Sequence, residues 1–390
     1  MGCAWTFADR HRCDSGGAHR IDSIPQIGFD LTPLQNAHRT RGVGRYVRGL
    51  AERLAAQTGV PIEFWGWAGE VPIEIKPPHS MLVIRRFPRP ALRGAWAFAQ
   101  LGTHLRAAKS GVRAVHITDP EALAPLRGKV VMTTSYDLIP FIEGIRTRQL
   151  ITWAGYRLYL RNLRLADHVF AISTQTADDL VCKIGVPPSI ISLARPGIDL
   201  RQLRVTGPIS GSPYFLYVGG PNPNKNLGTL LGAMAMVGDL PHHLLLAGPW
   251  LPKDVASLDA MVDGSVQLRG RVRHLGYVTD TELASLIQGA TALVLPSYRE
   301  GFGLPVAEGL ALGALVIHSR IPVLMETSAG AALTFDPNSR DELVACLREA
   351  AGNAPLMGQL RDRARARSQL LTWDRTLEST LAVYRTKLRL

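Results

Sequence analysis

Pro296-Ser297-Tyr298-Arg299-Glu300-Gly301-Phe302-Gly303-Leu304-Pro305-Val306-Ala307-Glu308 decides the fold of this chain. The apolar run before it, Ala290 to Leu295, reads as a buried strand. Glu308 to Leu315 reads as a helix, with small and apolar residues, no internal proline and Gly313 near its end. So a strand ends, a glycine-broken loop follows and a helix begins. In a parallel α/β sheet, ligands sit at such places, outside the carboxyl ends of the strands. Gly301 and Gly303 let the backbone approach a ligand closely. The helix that follows turns a positive end towards a phosphate or a hydroxyl. Glu300 and Glu308 frame the loop, and an ionised carboxylate only accepts hydrogen bonds, which suits two neighbouring sugar hydroxyls. On this pair alone, a plain strand–loop–helix turn with two solvated acids stays open.

The Glu-x7-Glu spacing around Gly-Phe-Gly-Leu-Pro resembles the motif of the retaining glycosyltransferases of family GT4, which have the GT-B fold. The resemblance implies an α/β protein of two doubly wound Rossmann-like domains facing a central cleft, with a C-terminal helix crossing back to the first. It implies that Glu300 contacts the donor sugar, that Glu308 binds the nucleotide ribose, and that Gly301, Phe302, Gly303 and Leu304 line the donor. It covers roughly residues 24–390 and is sharpest over 296–326 and 214–228.

The second half repeats the pattern. Tyr214 to Val218 is a strand of aromatic and apolar residues, Gly219-Gly220 a turn, and a helix starts at Leu227. Lys225 stands just before that helix, where a fixed cation is favourable only if it faces an anion. In the family an arginine and a lysine clamp the donor diphosphate here. Lys225 matches the lysine, whereas Gly220 stands at the arginine's place, so Arg299 is a candidate substitute. The segment His274-Leu275-Gly276-Tyr277-Val278 is similar to the one lining the nucleotide base, and Ile321 to Glu326 resembles a loop facing the donor. Further strands are expected at 243–247 and 315–317, and helices from Thr279, over 341–351 and from Thr372 to about Leu390.

The first half carries looser matches. Ile24 to Leu31 reads as the first strand and Tyr46 to Gln57 as the first helix, with Gly42-Val43-Gly44-Arg45-Tyr46 as a glycine loop between them. A lone G-x-G is weak, and the dinucleotide fingerprint is not completed. The family has a similar stretch against the donor phosphate and acceptor, which implies donor contact at Gly44 and acceptor contact at Arg45. Strands follow at 60–67, 81–87, 112–117, 129–134, 169–173 and 191–194. At Tyr136-Asp137 many relatives have His-Asp near the donor sugar or acceptor. Tyrosine can donate a hydrogen bond there but is no base near neutral pH. Tyr136 and Asp137 are thus expected at the acceptor, and Asp137, Lys225 and Glu300 carry the catalytic expectation.

The 390 residues suit two domains, and 46% hydrophobic content fills two cores. The expected division is a disordered extension over 1–23, an acceptor domain over 24–205, a nucleotide-sugar domain over 206–371 and a crossing helix over 372–390. Cys3, Cys13, Cys182 and Cys346 show no metal spacing and fit a reducing cytosol, and Cys3, His11, Cys13 and His19 match no standard site. No apolar run reaches the length of a membrane span, and Asp9 to Arg12 interrupt any signal-peptide core.

The net charge is +12. Residues 1–205 hold 27 Lys and Arg against 16 Asp and Glu, a net of +11; residues 206–390 hold 17 against 16, a net of +1. A face so basic attracts phosphates, nucleic acid or anionic lipid. Gly144 to His168 reads as one or two helices with Arg157, Arg161 and Arg164 on one face beside Trp153, Tyr156 and Tyr159. That is either a solvated face on a core helix or a surface for anionic membrane.

The expected reaction moves a sugar from a nucleotide diphospho-sugar to an acceptor hydroxyl with retention, needing no metal or other cofactor. The leading reading is peripheral action on the inner face of the cytoplasmic membrane, on a lipid-linked glycan of bacterial surface polysaccharide such as lipopolysaccharide. Overall resemblance to polysaccharide mannosyltransferases points to GDP-mannose. The alternatives are a small soluble acceptor and an inactive sugar-nucleotide-binding subunit. The intact Glu300/Glu308 pair and Lys225 argue against the last, and no recognition motif supports nucleic acid.

Overall fold

The computed structural model describes residues 26–36, 38–39, 42–57, 59–67, 85–87, 111–118, 128–142, 159–199 and 211–390. The N-terminal extension, residues 200–210 and most of the basic helix, including Trp153, Tyr156 and Arg157, lie outside them.

Two parallel sheets organise these residues. The first joins β1 (Ile27–Asp30), β2 (Ile62–Trp67), β3 (Arg85–Phe87), β4 (Ala114–Ile117), β5 (Val130–Ser135), β6 (His168–Ala171) and β7 (Ile191–Leu193). The second joins β8 (Tyr214–Val218), β9 (His243–Ala247), β10 (Val272–Gly276), β11 (Ala292–Leu295), β12 (Val316–Ser319) and β13 (Leu333–Phe335). Their orders are β3-β2-β1-β4-β5-β6-β7 and β10-β9-β8-β11-β12-β13, with every pairing parallel. Each order starts in the middle and steps outward both ways, so it reverses between β1 and β4 and between β8 and β11. Those reversals open crevices at the carboxyl edges of the strands.

Several boundaries differ from the sequence reading. The helix after the glycine loop is Leu304–Ala311, so Glu308 lies inside it. Gly303 is its N-cap at φ 83°, and the left-handed turn there ends the loop at once. Pro305 occupies the first turn, where its missing N–H leaves no helical bond unmade. Pro322 acts likewise, so the expected donor-facing loop over 321–326 is the start of a helix, Pro322–Ser328. The first helix is Gly42–Ala56 and includes the expected glycine loop. His168 opens β6 instead of closing the preceding helix. Helices Pro252–Asp263 and Ala354–Ser368 escaped the sequence reading. The latter buries only Met357, Leu360 and Ala364, too narrow a face to stand out among its arginines.

The last helix, Trp373–Leu388, packs on the first sheet. Thr372 caps it, and Trp373, Leu381, Tyr384 and Leu388 join Tyr46, Leu50 and Leu54 in one core cluster. Phe302 and Ala307, from the glycine loop and its helix, belong to the same cluster. The loop that frames the site is thereby packed against the first unit.

Candidate active site

Strands β8 and β11 are neighbours, so the loops leaving their carboxyl ends lie side by side. Two asparagines join them. Asn226 Nδ2 donates to Pro296 O at 3.1 Å and to Pro337 O at 2.8 Å, and Asn224 Nδ2 donates to Arg299 O at 3.3 Å. This brings Lys225, in the short turn Pro223–Lys225, onto Glu300. Lys225 Nζ donates to Glu300 Oε1 at 2.7 Å and Oε2 at 2.9 Å. Ser297, fully buried, donates its hydroxyl to Oε1 at 2.7 Å. A carboxylate held by a cation and a buried hydroxyl has little freedom to turn.

Glu308 is 6% exposed. Arg45 reaches it from the first unit, donating Nη1 to Glu308 Oε1 and Nη2 to Asp280 Oδ1, the latter at 2.8 Å. Glu308 Oε2 is buried and has no hydrogen-bond partner among the described residues. Burial pushes the Glu308 carboxyl up, and Arg45 pulls it back. The nearby Glu308 carboxylate in turn holds the Arg45 guanidinium above its ordinary range, with Asp280 adding to the effect. A second ionic contact joins the units. Glu326 accepts from Thr174 N at 2.9 Å, Thr174 Oγ1 at 3.0 Å and Arg195 Nε at 2.6 Å.

Other expected site residues have more structural placements. The N–H of Gly44, in the first turn of the first helix, donates to His38 O in the preceding segment at 3.1 Å, so it is committed there and does not offer itself to a phosphate. The N–H of Gly219 donates to Ala247 O at 2.9 Å. Gly220 accepts from the Tyr217 hydroxyl at 2.7 Å, and a Cβ built on it would meet nothing within 4 Å. There is thus open space at the position where the resemblance would place an arginine. Gly276 ends β10 at φ 73°. The Phe302 side chain is 3% exposed and faces the core, whereas Leu304 packs against the same cluster and stays partly exposed. Arg45 is engaged with Glu308 and Asp280 across the cleft, not held ready for an acceptor.

A Cβ on Gly301 would stand 2.6 Å from Tyr136 O and 3.5 Å from Asp137 Cβ. Only glycine allows the Tyr136-Asp137 segment this close to the loop. Asp137 Oδ1 accepts from Ile139 N at 3.0 Å. Tyr136 is 6% exposed, and its hydroxyl donates to Thr118 O at 3.0 Å, which directs the phenol inward. Tyr136→Phe is therefore expected to lower stability by about 1 kcal/mol through that lost bond and to leave the acceptor KM unchanged. Denaturant titration and steady-state kinetics check both; a raised acceptor KM would return Tyr136 to the acceptor site.

Sequence reading missed Ser297, Asp280 and the Glu326 contact. Ser297 stood inside the quoted stretch, and its distance of three from Glu300 was the available signal. Asp280 reads as a first-turn acid of the helix Asp280–Gly289, a role it also fills. Of the basic helix, Arg161 and Arg164 are exposed. Tyr159, expected beside them on the surface, is instead buried with its hydroxyl 3.0 Å from Ser135 Oγ.

Two family models match the chain: Glycosyltransferase Family 4 over residues 40–202 and Glycosyl transferases group 1 over 201–367. The chain is 30% identical over 209 residues to O-antigen chain mannosyltransferase B of Escherichia coli, covering 53% of each. It is 28% identical to O-antigen chain mannosyltransferase RfbU of Salmonella typhimurium (59% of this chain, 63% of the relative). It is also 28% identical to a D-inositol 3-phosphate glycosyltransferase of Mycobacterium leprae (56% and 54%). The matches thus span about half the length of these curated relatives. Among solved structures, sucrose-phosphate synthase of Thermosynechococcus elongatus superposes with a TM-score of 0.73 at 22% identity, over 93% of this chain and 98% of that one. Anabaena Alr3699/HepE in complex with UDP and glucose does so with 0.73 at 15% identity, over 93% and 100%.

Proposed function

From the premise that this chain belongs to the GT4-type glycosyltransferases of GT-B fold, we propose that it moves a sugar from a nucleotide diphospho-sugar to a glycan hydroxyl with retention at the anomeric carbon. The observation that carries this reading is the second-sheet crevice, where the Lys225–Glu300 pair and the unpartnered Glu308 Oε2 flank one glycine loop. A buried acceptor without a donor is costly, and a ribose hydroxyl would satisfy it. Lys225 supplies fixed positive charge where a diphosphate leaves. In the proposed step the anomeric C–O bond to the diphosphate breaks. The acceptor oxygen bonds the same face of that carbon, and its proton passes to a phosphate oxygen. No carboxylate is assigned as nucleophile, and no metal enters, so turnover should survive chelation. Glu300, fixed by Ser297 and Lys225, would hold sugar hydroxyls, and Asp137, across from Gly301, would face the acceptor.

The donor proposed is GDP-mannose and the acceptor a lipid-linked glycan of surface polysaccharide. The mannosyltransferase names of two relatives support this. The basic first half supports a peripheral place on anionic membrane. Among the described residues, no helix is long and apolar enough to cross a membrane. A small soluble acceptor is the second reading, favoured by the D-inositol 3-phosphate relative. Turnover assays with a panel of sugar nucleotides, against lipid-linked and soluble acceptors, decide donor and acceptor, and NMR of the product's anomeric proton decides retention. Absence of transfer from every donor would sink the reading.

Glu308→Ala should weaken the donor nucleotide by about 1–3 kcal/mol, roughly 5- to 150-fold, by removing the buried acceptor. Calorimetric titration of both proteins measures it. Unchanged affinity would remove Glu308 from the ribose.

A further inference from the structure

The first turn of the helix Gly42–Ala56 lies against the start of the helix that carries Glu308. A Cβ on Gly42 would stand 3.4 Å from Leu304 Cδ1. Gly44 lets that turn close on the segment before it, since a Cβ there would stand 2.5 Å from both His38 O and Arg39 O. Tyr46 is buried and packs edge-on against Tyr136, with ring centroids 5.5 Å apart, and against Trp373 at 6.0 Å. Arg45, between these two residues, therefore leaves a backbone that is fixed on both sides.

Its guanidinium is divided between two carboxylates of the second unit. Nη1 donates to Glu308 Oε1, and Nη2 to Asp280 Oδ1 at 2.8 Å. The two carboxylates are unequal: the Asp280 side chain is 48% exposed and the Glu308 side chain 7%. Water can stand in for the arginine at Asp280. At Glu308 it cannot, so the buried carboxylate depends on Arg45 for its charge. A buried carboxyl without a cation holds its proton to higher pH. Once protonated, it offers a ribose a weaker acceptor and one O–H in place of charged oxygens.

We propose that Arg45 is a positioning residue for the donor nucleotide: reaching across the cleft, it holds Glu308 ionised and turned so that Oε2 meets the ribose. This rests on the reading of Glu308 as the ribose acceptor. Burial, the largest influence on that carboxyl, and Asp280 both favour its neutral form, and Arg45 opposes them by charge and by hydrogen bond. Arg45 and Asp280 are the charged groups acting on Glu308 among the described residues. The nucleotide pocket of the second unit is thus completed by a side chain of the first. A nucleotide that binds better with Arg45 in place must, by linkage, favour the closed cleft.

The test is calorimetric titration of the full chain between about pH 6 and pH 8, where His and not Glu ordinarily titrates. The probes are GDP, UDP, ADP and CDP, and then the dideoxyribose form of whichever binds tightest. The ratio of the two affinities isolates the ribose hydroxyls, because both ligands carry the same base and diphosphate. The wild type should favour the ribose form by roughly 10- to 100-fold, the range for hydrogen bonds to a charged group. In Arg45→Met that ratio should fall by about fivefold or more at the acid end and recover in part at the alkaline end, as Glu308 loses its proton. Arg45→Lys, which keeps the charge, should restore most of it throughout. In Glu308→Gln the ratio should be low and level with pH, and adding Arg45→Met should change it no further. A wild-type ratio in Glu308→Gln, or binding of none of the nucleotides, would remove the ribose reading and the proposal with it. A low ratio in Glu308→Gln beside an unchanged one in Arg45→Met would keep Glu308 at the ribose and overturn the role of Arg45 alone. So would equal weakening of both ligands in Arg45→Met, which marks a phosphate contact. A ratio low at every pH and not restored by Arg45→Lys marks a structural role and overturns it as well.

Discussion

Lys225→Ala is expected to lower turnover at saturating donor by about 100- to 1,000-fold, the effect of deleting one preorganised electrostatic group, with a much smaller change in donor KM. In the structure the ammonium rests on Glu300 at 2.7 Å, with the lysine side chain 23% exposed. A departing diphosphate would offer it a stronger partner, and the charge there grows as the bond breaks. Binding in the ground state gains less, which is why the loss should fall on turnover. Glu300 complicates the variant, because its carboxylate, 10% exposed, loses its cation and keeps only Ser297. Lys225→Arg separates the two effects: it preserves the charge for Glu300 but alters its reach. Single-turnover rates of the three proteins provide the measurement. Full turnover in Lys225→Ala would make the lysine a structural partner of Glu300 and nothing more.

Acid should unfold this protein well before its carboxylates titrate. Burial pushes His116 down to about 3, and His168 and His318 each to about 4. His116 is completely buried between the Tyr384 hydroxyl at 2.6 Å and Thr134 Oγ1 at 2.8 Å. His318 Nδ1 faces the Ser319 carbonyl, so that nitrogen carries the proton and Nε2 accepts from Ser328. These histidines are neutral in the folded state, whereas the unfolded chain takes up protons near pH 6.5. Stability from this source is complete above that pH. It is lost as pH falls towards the folded values, because only the unfolded state gains the protons. Between pH 7 and pH 5 the loss should be on the order of 2 kcal/mol for each histidine. Denaturant unfolding at three pH values tests it, and a flat profile would contradict it. His168 has neither ring nitrogen hydrogen-bonded among the described residues. His168→Phe should therefore keep the packing on Phe170 and remove about a third of the slope.

The sequence by itself determined most of the strands, though not β10 and β13, which it did not mark as strands. Runs such as Tyr214 to Val218 and His243 to Ala247 appear with those bounds, because a strand buried on both faces must be apolar at nearly every position. It also determined the helix start at Thr279, where Glu282 completes a capping box. These are local interactions, spanning three residues, and local chemistry is enough to specify them. Helix starts beside glycine and proline were read too late at Tyr46 and Glu308. Both residue types are also turn residues, and whether they cap or break depends on φ, which a sequence does not carry.

Only the tertiary structure decided which groups meet. Glu308 and Arg45 are 263 positions apart, and Glu326 and Arg195 are 131 apart. Tyr136 was expected at the acceptor and Tyr159 beside a basic helix face, yet each hydroxyl finds a buried partner, Thr118 O and Ser135 Oγ. A hydroxyl satisfied in the core and one exposed to substrate are the same letter in the sequence. What separates them is the packing of distant segments, and that is settled by the whole chain's burial of apolar surface, not by any window of it.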